Sequence, residues 1–381
     1  MKLTKCISLL IISVFILMLA NPQAVRADTL DLKAESYVLM DPDSGEVLLA
    51  KNEHVRLAPA SMTKLMTLIL AVEALEEGKV GLKDTVVTSE NAWKMGGSQI
   101  YLEPGEEMTY EDMLIAIAVG SANDACVAVA EHLEGTHKGF VDKMNERARQ
   151  LGLKNTNFVN SNGLPAENHY TSAYDMCVIA REALKHPKII EYTSIKEYNL
   201  RQGEFVLFNT NKLLWWYQGA DGFKTGWTNE AKYCLVSSAK RDGLRLVATV
   251  MATPEANGHF RDSMQLLNYG FAQYSYKTFF TQGNVCGIVQ VGKGTVDSVD
   301  VIAEENVGSI SIKGEESKLA IEKNLSEYVN APIQEGQKLG EIIVTREGKE
   351  VKRVNLIAAN AVPCGGLVRQ IMKMIAETYL L

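Results

Sequence analysis

Cysteine is scarce in this chain and offers no pairing scheme. There are six in 381 residues. Cys6 lies in the apolar N-terminus, and the other five (Cys126, Cys177, Cys234, Cys286, Cys364) are odd in number and lack a C-x-x-C spacing. They exclude a disulfide framework and read as buried small hydrophobes. Histidine is equally sparse: His54, His132, His137, His169, His186 and His259 show no His-Glu-x-x-His or comparable clustering, so a metal-dependent peptidase would lack its ligands. No metal or other cofactor is expected. A basic excess is missing too, with 39 Lys and Arg against 46 Asp and Glu, which argues against nucleic acid as a partner. No internal repeat or low-complexity segment stands out.

A hydrophobic run long enough to cross a bilayer is also absent. The apolar stretch at 7–20 has 14 residues, too few for a hydrocarbon core of about 30 Å. Preceded by Lys2 and Lys5 and followed by Val25 and Ala27 at the −3 and −1 positions of a cleavage site, it reads as a secretory signal peptide, residues 1–27. No Cys sits at the cleavage point, so lipid modification there finds no support. Lys2, Lys5 and Arg26 leave with the leader, which takes the net charge from −7 to about −10.

The mature chain is long enough for one large domain or two unequal ones, and two are expected. Residues 37–40 and 47–50 read as strands joined by Asp41-Pro42-Asp43-Ser44-Gly45, a hairpin. Helices are expected at 61–77, with Gly78 as its C-terminal stop, at 110 to about 119, at 122–132 and at 172–184. A second hairpin spans 233–239 and 244–251 around Arg241-Asp242-Gly243, and a last helix follows at 261–274. This order predicts an α+β fold, an antiparallel sheet flanked by helices with a helical block inserted between its parts. This first domain, residues 28–276, is then followed by a small all-β domain at 277–362, from the Val- and Ile-rich runs at 285–291, 299–303, 342–345 and 354–358.

Residues 363–381 end the chain as an amphipathic helix. Leu367, Val368, Ile371, Met372, Met374, Ile375 and Tyr379 share one arc, and Arg369, Gln370, Lys373 and Glu377 the other. Such a helix could dock on its own β domain. At about 22 Å for its last 15 residues it is too short to span a bilayer, and with the Gly365-Gly366 hinge and no large partner left in sequence, a place in a membrane interface is the preferred reading.

Three short motifs carry chemistry. In Ser61-Met62-Thr63-Lys64, after Pro59, the i, i+3 spacing sets the Lys amine beside the Ser hydroxyl. Serine is a poor nucleophile until a base takes its proton, and a buried Lys beside another cation can serve as that base. Ser121-Ala122-Asn123 falls between two helices, where Ser could simply cap the second. Lys224-Thr225-Gly226 precedes a strand, where it could be an ordinary polar turn. Each is weak alone: Ser237 to Lys240 copies the first pattern by chance, and Ser89-Glu90-Asn91 the second. Their joint occurrence in this order is the signature of penicillin-recognising enzymes.

On these residues the chain resembles the low-molecular-mass penicillin-binding proteins, the serine D-Ala-D-Ala carboxypeptidases, across essentially the whole mature length. Leu57-Ala58-Pro59-Ala60, Gly96-Gly97-Ser98 with Pro104-Gly105, Asn162-Gly163-Leu164-Pro165, His169-Tyr170-Thr171 with Tyr174-Asp175, and Gly219-Ala220-Asp221-Gly222 are similar to the family as well. The resemblance implies a penicillin-binding/β-lactamase-like fold and removal of the terminal D-Ala from peptidoglycan stem peptides through an acyl-enzyme. It makes Ser61 the nucleophile, Lys64 its base and Ser121 a proton relay with Lys224. Asn123, Lys224, Thr225, Gly226 and Trp227 bind substrate, the last through its backbone N–H, since some relatives carry His there. His169 is expected to hold structure. The implied partners are stem peptides ending in D-Ala-D-Ala, β-lactams and, through the tail, the outer face of the cytoplasmic membrane. A D,D-endopeptidase, a β-lactamase of the same fold or an idle wall-binding protein are the alternatives; the intact Ser61, Lys64 and Lys224 argue against the last.

Overall fold

The computed structural model describes residues 30–372. The expected signal peptide at 1–27 and the part of the expected amphipathic helix from 373 onward lie outside the described residues. The described residues from Leu32 onward belong to one compact unit.

A five-stranded antiparallel sheet forms the centre. Its strands are β1 (Ser36–Met40), β2 (Val47–Lys51), β3 (Ala220–Thr228), β4 (Lys232–Arg241) and β5 (Leu244–Thr253), in the order β2-β1-β5-β4-β3. Both faces are covered, so β4 and β5 are buried along most of their length and their alternate residues serve different cores. Leu246, Ala248 and Val250 pack with Phe260, Leu266 and Leu267 on one side. Val247 and Met251 face the helical block on the other. The β4–β5 turn places Asp242 and Gly243 at φ +48° and +83°, the left-handed pair that a tight hairpin requires.

The helical block comprises α1 (Lys64–Glu76), α2 (Tyr110–Ile115), α3 (Asn123–Glu134), α4 (His137–Gln150) and α5 (Ala173–Ala183); α6 (Gly258–Gln273) lies on the opposite face. Two expected helices change character where the motifs sit. The first does not begin at Ser61: residues Ala60–Thr63 form a 3-10 turn and the α-helix starts at Lys64. The second widens at Ala116–Gly120 into a π-helical turn and stops at Ser121, which adopts φ +59°. A π-turn shifts the register of the helix at its end, a device common at functional sites.

The β-rich part holds a six-stranded sheet. Its strands, with the short ladder that precedes it, are β6 (Tyr274–Phe280), β7 (Val285–Gly292), β8 (Ser298–Ala303), β9 (Val307–Ile312), β10 (Leu319–Leu325), β11 (Tyr328–Asn330), β12 (Lys338–Arg346) and β13 (Lys349–Ala358). The sheet order is β10-β12-β13-β8-β7-β11, while β6 pairs with β9. Strand β6 takes over directly at Tyr274, where the sequence suggested that α6 continues, and it crosses the anticipated 276/277 boundary. Four cysteines are buried and free as expected; Cys364 differs, being exposed. Beyond it a helix starts at 367, and Leu367, Val368, Ile371 and Met372 all stand exposed. Among the described residues no helix is long and apolar enough to cross a membrane.

Candidate active site

The 3-10 turn ahead of α1 presents Ser61, and the first residue of the helix proper presents Lys64. Ala60, just before the serine, holds φ +47°, a left-handed conformation that costs a non-glycine residue about 1–3 kcal/mol and persists only where its surroundings impose it. Two glycines do the imposing. An ideal Cβ on Gly163 falls 1.9 Å from Ala60 O, and one on Gly226 falls 2.8 Å from Pro59 O. Only chains without side chains at these positions can approach the turn so closely.

Lys64 is fully buried, and its Nζ contacts three oxygens: Ser61 Oγ at 2.8 Å, Asn123 Oδ1 at 2.7 Å and the Asn162 carbonyl at 2.5 Å. The set is informative about direction. The two carbonyl oxygens can only accept, so in the neutral amine they take its two N–H bonds. The lone pair is left facing Ser61, whose hydroxyl alone of the three can donate. Asn123 is itself oriented, because its Nδ2 donates to Gly96 O at 2.6 Å and its backbone N–H to Ser98 O at 2.7 Å. Burial brings the Lys64 amine down to about 8, against an upward pull from Asp124 close by. The Cys126 thiol beside it is pushed up to about 12 by burial and stays neutral.

Lys224 comes from β3, whose partner register sets Lys224 against Val236 and Gly226 against Cys234. The sequence left this segment as a turn before a strand; it is the edge strand of the sheet. Burial, and then the charge on Lys64, lower its amine to about 7. Among the described residues its Nζ reaches only Thr225 O, at 3.4 Å. Thr225 donates to Thr210 Oγ1 at 2.7 Å. Trp227 is 55% exposed and pairs across the strands with Tyr233, while Gly226 just before it lies against the turn that carries Ser61.

Ser121 is buried two residues from Asn123. The expectation that it might cap the next helix does not hold: the cap position is Ala122, without a side-chain bond. Its Oγ makes no hydrogen bond among the described residues. The two chance motif copies separate cleanly. Ser237 donates to Ala248 O inside β4, and Ser89 caps its own short helix by accepting from Ala92 N.

Several contributors carried no recognisable signal. The Asn162 carbonyl, Gly96 O and Thr210 act through the backbone or a lone hydroxyl, although Gly96 and Asn162 fall in segments already noted. His169 is structural: the Val159 N–H donates to its Nδ1 at 3.0 Å, so Nε2 carries the proton and donates to Thr63 Oγ1 at 2.8 Å. Burial and the Lys64 charge hold it down at about 4, so it stays neutral. Glu73, Glu182 and His186 bring metal-type donors together. Arg147 already fills that position, at 2.6 Å from Glu73 and 2.8 Å from Glu182.

Comparison with known proteins identifies the family. The D-alanyl-D-alanine carboxypeptidase family matches residues 21–255, and the C-terminal domain of penicillin-binding protein 5 matches residues 274–363. The chain is 43% identical over 334 residues to the D-alanyl-D-alanine carboxypeptidase DacF of Bacillus subtilis, covering 87% of this chain and 86% of that protein. Among solved structures it is similar to penicillin-binding protein 5 of Haemophilus influenzae, at 34% identity and a TM-score of 0.69 over 88% of this chain and 98% of that one. It is also similar to penicillin-binding protein D2 of Listeria monocytogenes in an ampicillin-bound form, at 29% identity and a TM-score of 0.59 over 64% of this chain and 99% of that one. The chain therefore belongs to the D-alanyl-D-alanine carboxypeptidase family, the serine peptidases of peptidoglycan metabolism among the low-molecular-mass penicillin-binding proteins.

Proposed function

We propose that the carboxypeptidase reaction runs through Ser61 as nucleophile and Lys64 as its base. The observation that carries this reading is the buried Lys64 amine 2.8 Å from Ser61 Oγ, with its other two contacts made by oxygens that only accept. The Ser61 hydroxyl proton passes to neutral Lys64 while Oγ bonds to the carbonyl carbon between the two terminal D-alanines. The oxyanion is held by the backbone N–H groups of Ser61 and Trp227. The C–N bond then breaks, with the leaving amine protonated through Ser121 and Lys224, and D-Ala departs. Water attacks the acyl-enzyme with Lys64 again as base.

Lys224 has a second part in this scheme. With one long hydrogen bond, its buried amine has donors to spare for the substrate's terminal carboxylate, with Thr225 beside it and Asn123 aligning the peptide amide. A carboxylate next to Lys224 favours the ammonium there, and a cation there favours the neutral amine on Lys64. Substrate arrival thus moves the proton to where binding needs it and away from where the base must be free.

The ampicillin-bound relative motivates a further element: a β-lactam enters as a substrate mimic and stays on Ser61 because its leaving group remains tethered. The proposed organisation is a leader at 1–27, a catalytic part at 28–276, a β part at 277–362 and an anchoring helix from 363. The enzyme then works outside the cytoplasm, on the outer face of the cytoplasmic membrane. Exposed Leu367, Val368, Ile371 and Met372 at the helix start support attachment to a membrane over docking on the β part.

The decisive experiment is D-Ala release from a synthetic peptide ending in D-Ala-D-Ala, with mass spectrometry after incubation with penicillin. Wild-type protein should release D-Ala and gain one drug mass; Ser61→Ala should do neither. An unlabelled, inactive wild-type protein would contradict the scheme.

A further inference from the structure

Tyr101 is a large aromatic residue held out from the protein by unusual means. It is 68% exposed while its neighbours Ile100 and Leu102 are buried. Its backbone adopts φ +57°, a region that a bulky residue enters only under constraint from its surroundings. Two charged side chains supply the constraint from opposite sides. The Asp124 carboxylate, buried at the start of α3, accepts from Ile100 N at 3.1–3.2 Å and from Leu102 N at 3.1 Å. Arg201 donates to Ile100 O at 2.9 Å and reaches Tyr101 O at 3.5 Å, while its Nε is fixed on Glu106 at 2.8 Å.

The place of this clasp matters as much as its construction. Asp124 directly follows Asn123, and the segment it grips is the one whose Ser98 carbonyl receives the Asn123 N–H. The Tyr101 ring meets Phe205 edge-on, with centroids 6.1 Å apart, and Phe205 opens the strand Phe205–Phe208. Leu207 of that strand lies over Gly120, where an ideal Cβ would be 2.8 Å from Leu207 Cδ2. The two segments that flank Ser121 and Asn123 therefore meet at Tyr101 and Phe205. Nothing in the chemistry at Ser61 requires an exposed aromatic ring there.

We propose that Tyr101, presented by Asp124 and Arg201, is a specificity-determining residue that contacts the stem peptide beyond its terminal D-Ala-D-Ala. This rests on the reading of Ser61 as nucleophile. A ring fixed by its backbone covers substrate without first losing freedom of its own, which is the advantage of presenting it from a constrained turn. Asp124 and Arg201 reach the substrate through Tyr101 and are positioning residues for it; Asp124 in addition pulls the Lys64 amine upward.

The test compares kcat/KM for D-Ala release from a complete pentapeptide stem and from a minimal acyl-D-Ala-D-Ala. Tyr101→Gly removes the ring and suits the left-handed backbone, so the loop keeps its course. Its kcat/KM on the pentapeptide should fall about tenfold, mainly through KM, which corresponds to about 1.4 kcal/mol. On the minimal substrate, and in penicillin labelling, it should match wild type; Tyr101→Phe should behave as wild type on both. Equal losses on the two substrates, or no loss on the pentapeptide, would overturn the proposal. If wild-type protein fails even on the minimal substrate, it is the Ser61 reading that falls instead.

Discussion

Lys64 and Lys224 are buried amines close enough for the charge on the first to lower the affinity of the second for a proton. Neither has a carboxylate to neutralise it by direct contact among the described residues. Each falls well below the 10.5 of a free lysine, to about 8 and about 7. Groups this close titrate as a pair, so the two steps belong to the pocket as a whole.

The pH profile of kcat/KM follows from that pairing. Below about 7 both amines are charged and no base is available; above about 8 both are neutral and the carboxylate loses its ammonium partner. The state with one proton is the productive one once the substrate carboxylate draws that proton from Lys64 to Lys224. Activity should be highest between these values and fall on both sides. D-Ala release measured from pH 5 to 10 checks this, and a profile flat across that range would exclude the two-lysine mechanism.

Gly163→Ala should disable the site without touching a catalytic side chain. The added methyl meets Ala60 O at 1.9 Å from a backbone at φ +87°, so the turn carrying Ser61 must move. A loss of about 3 kcal/mol or more in stability is expected from clash and strain together. Urea denaturation measures it. Penicillin labelling should slow by at least a hundredfold in the fraction that remains folded, because a displacement of about 1 Å at a reacting group has effects of that size.

Trp227→Ala addresses the opposite case, a conspicuous residue of little consequence for the chemistry. The ring is solvent-facing and paired with Tyr233, so its loss should remove about 0.5–1 kcal/mol of stability. Acylation by penicillin should stay within about threefold of wild type, since the backbone N–H remains. A hundredfold loss in acylation would show that the ring itself takes part in the reaction.

What the sequence revealed was governed by distance along the chain. Ser61 and Lys64 are three residues apart, and helical spacing alone brings them together. The hairpin at Asp242 and Gly243, and the capped α5 with Ser172 accepting from Asp175 N, follow equally local rules. Strand β3 escaped notice because Asp221, Gly222, Lys224 and Gly226 all disfavour strand structure, and only pairing with β4 overrides that preference. Strand β6 was hidden because α6 passes into it with no breaking residue at Gln273 or Tyr274. The Asn162 carbonyl could not be foreseen as a ligand of Lys64, since every residue carries a carbonyl and only the tertiary fold selects one.

Strand β1 pairs with β5, Leu39 opposite Ala248, across about 200 residues of intervening chain. The central sheet therefore closes only when the first and last parts of the catalytic region are present together. Helices of the inserted block can form early, from nearby contacts, but they have nothing to lie against until that closure. Loop closure over such a span makes folding slow compared with helix formation. A chain released gradually would spend that interval with one face of its helices uncovered, in need of protection from self-association.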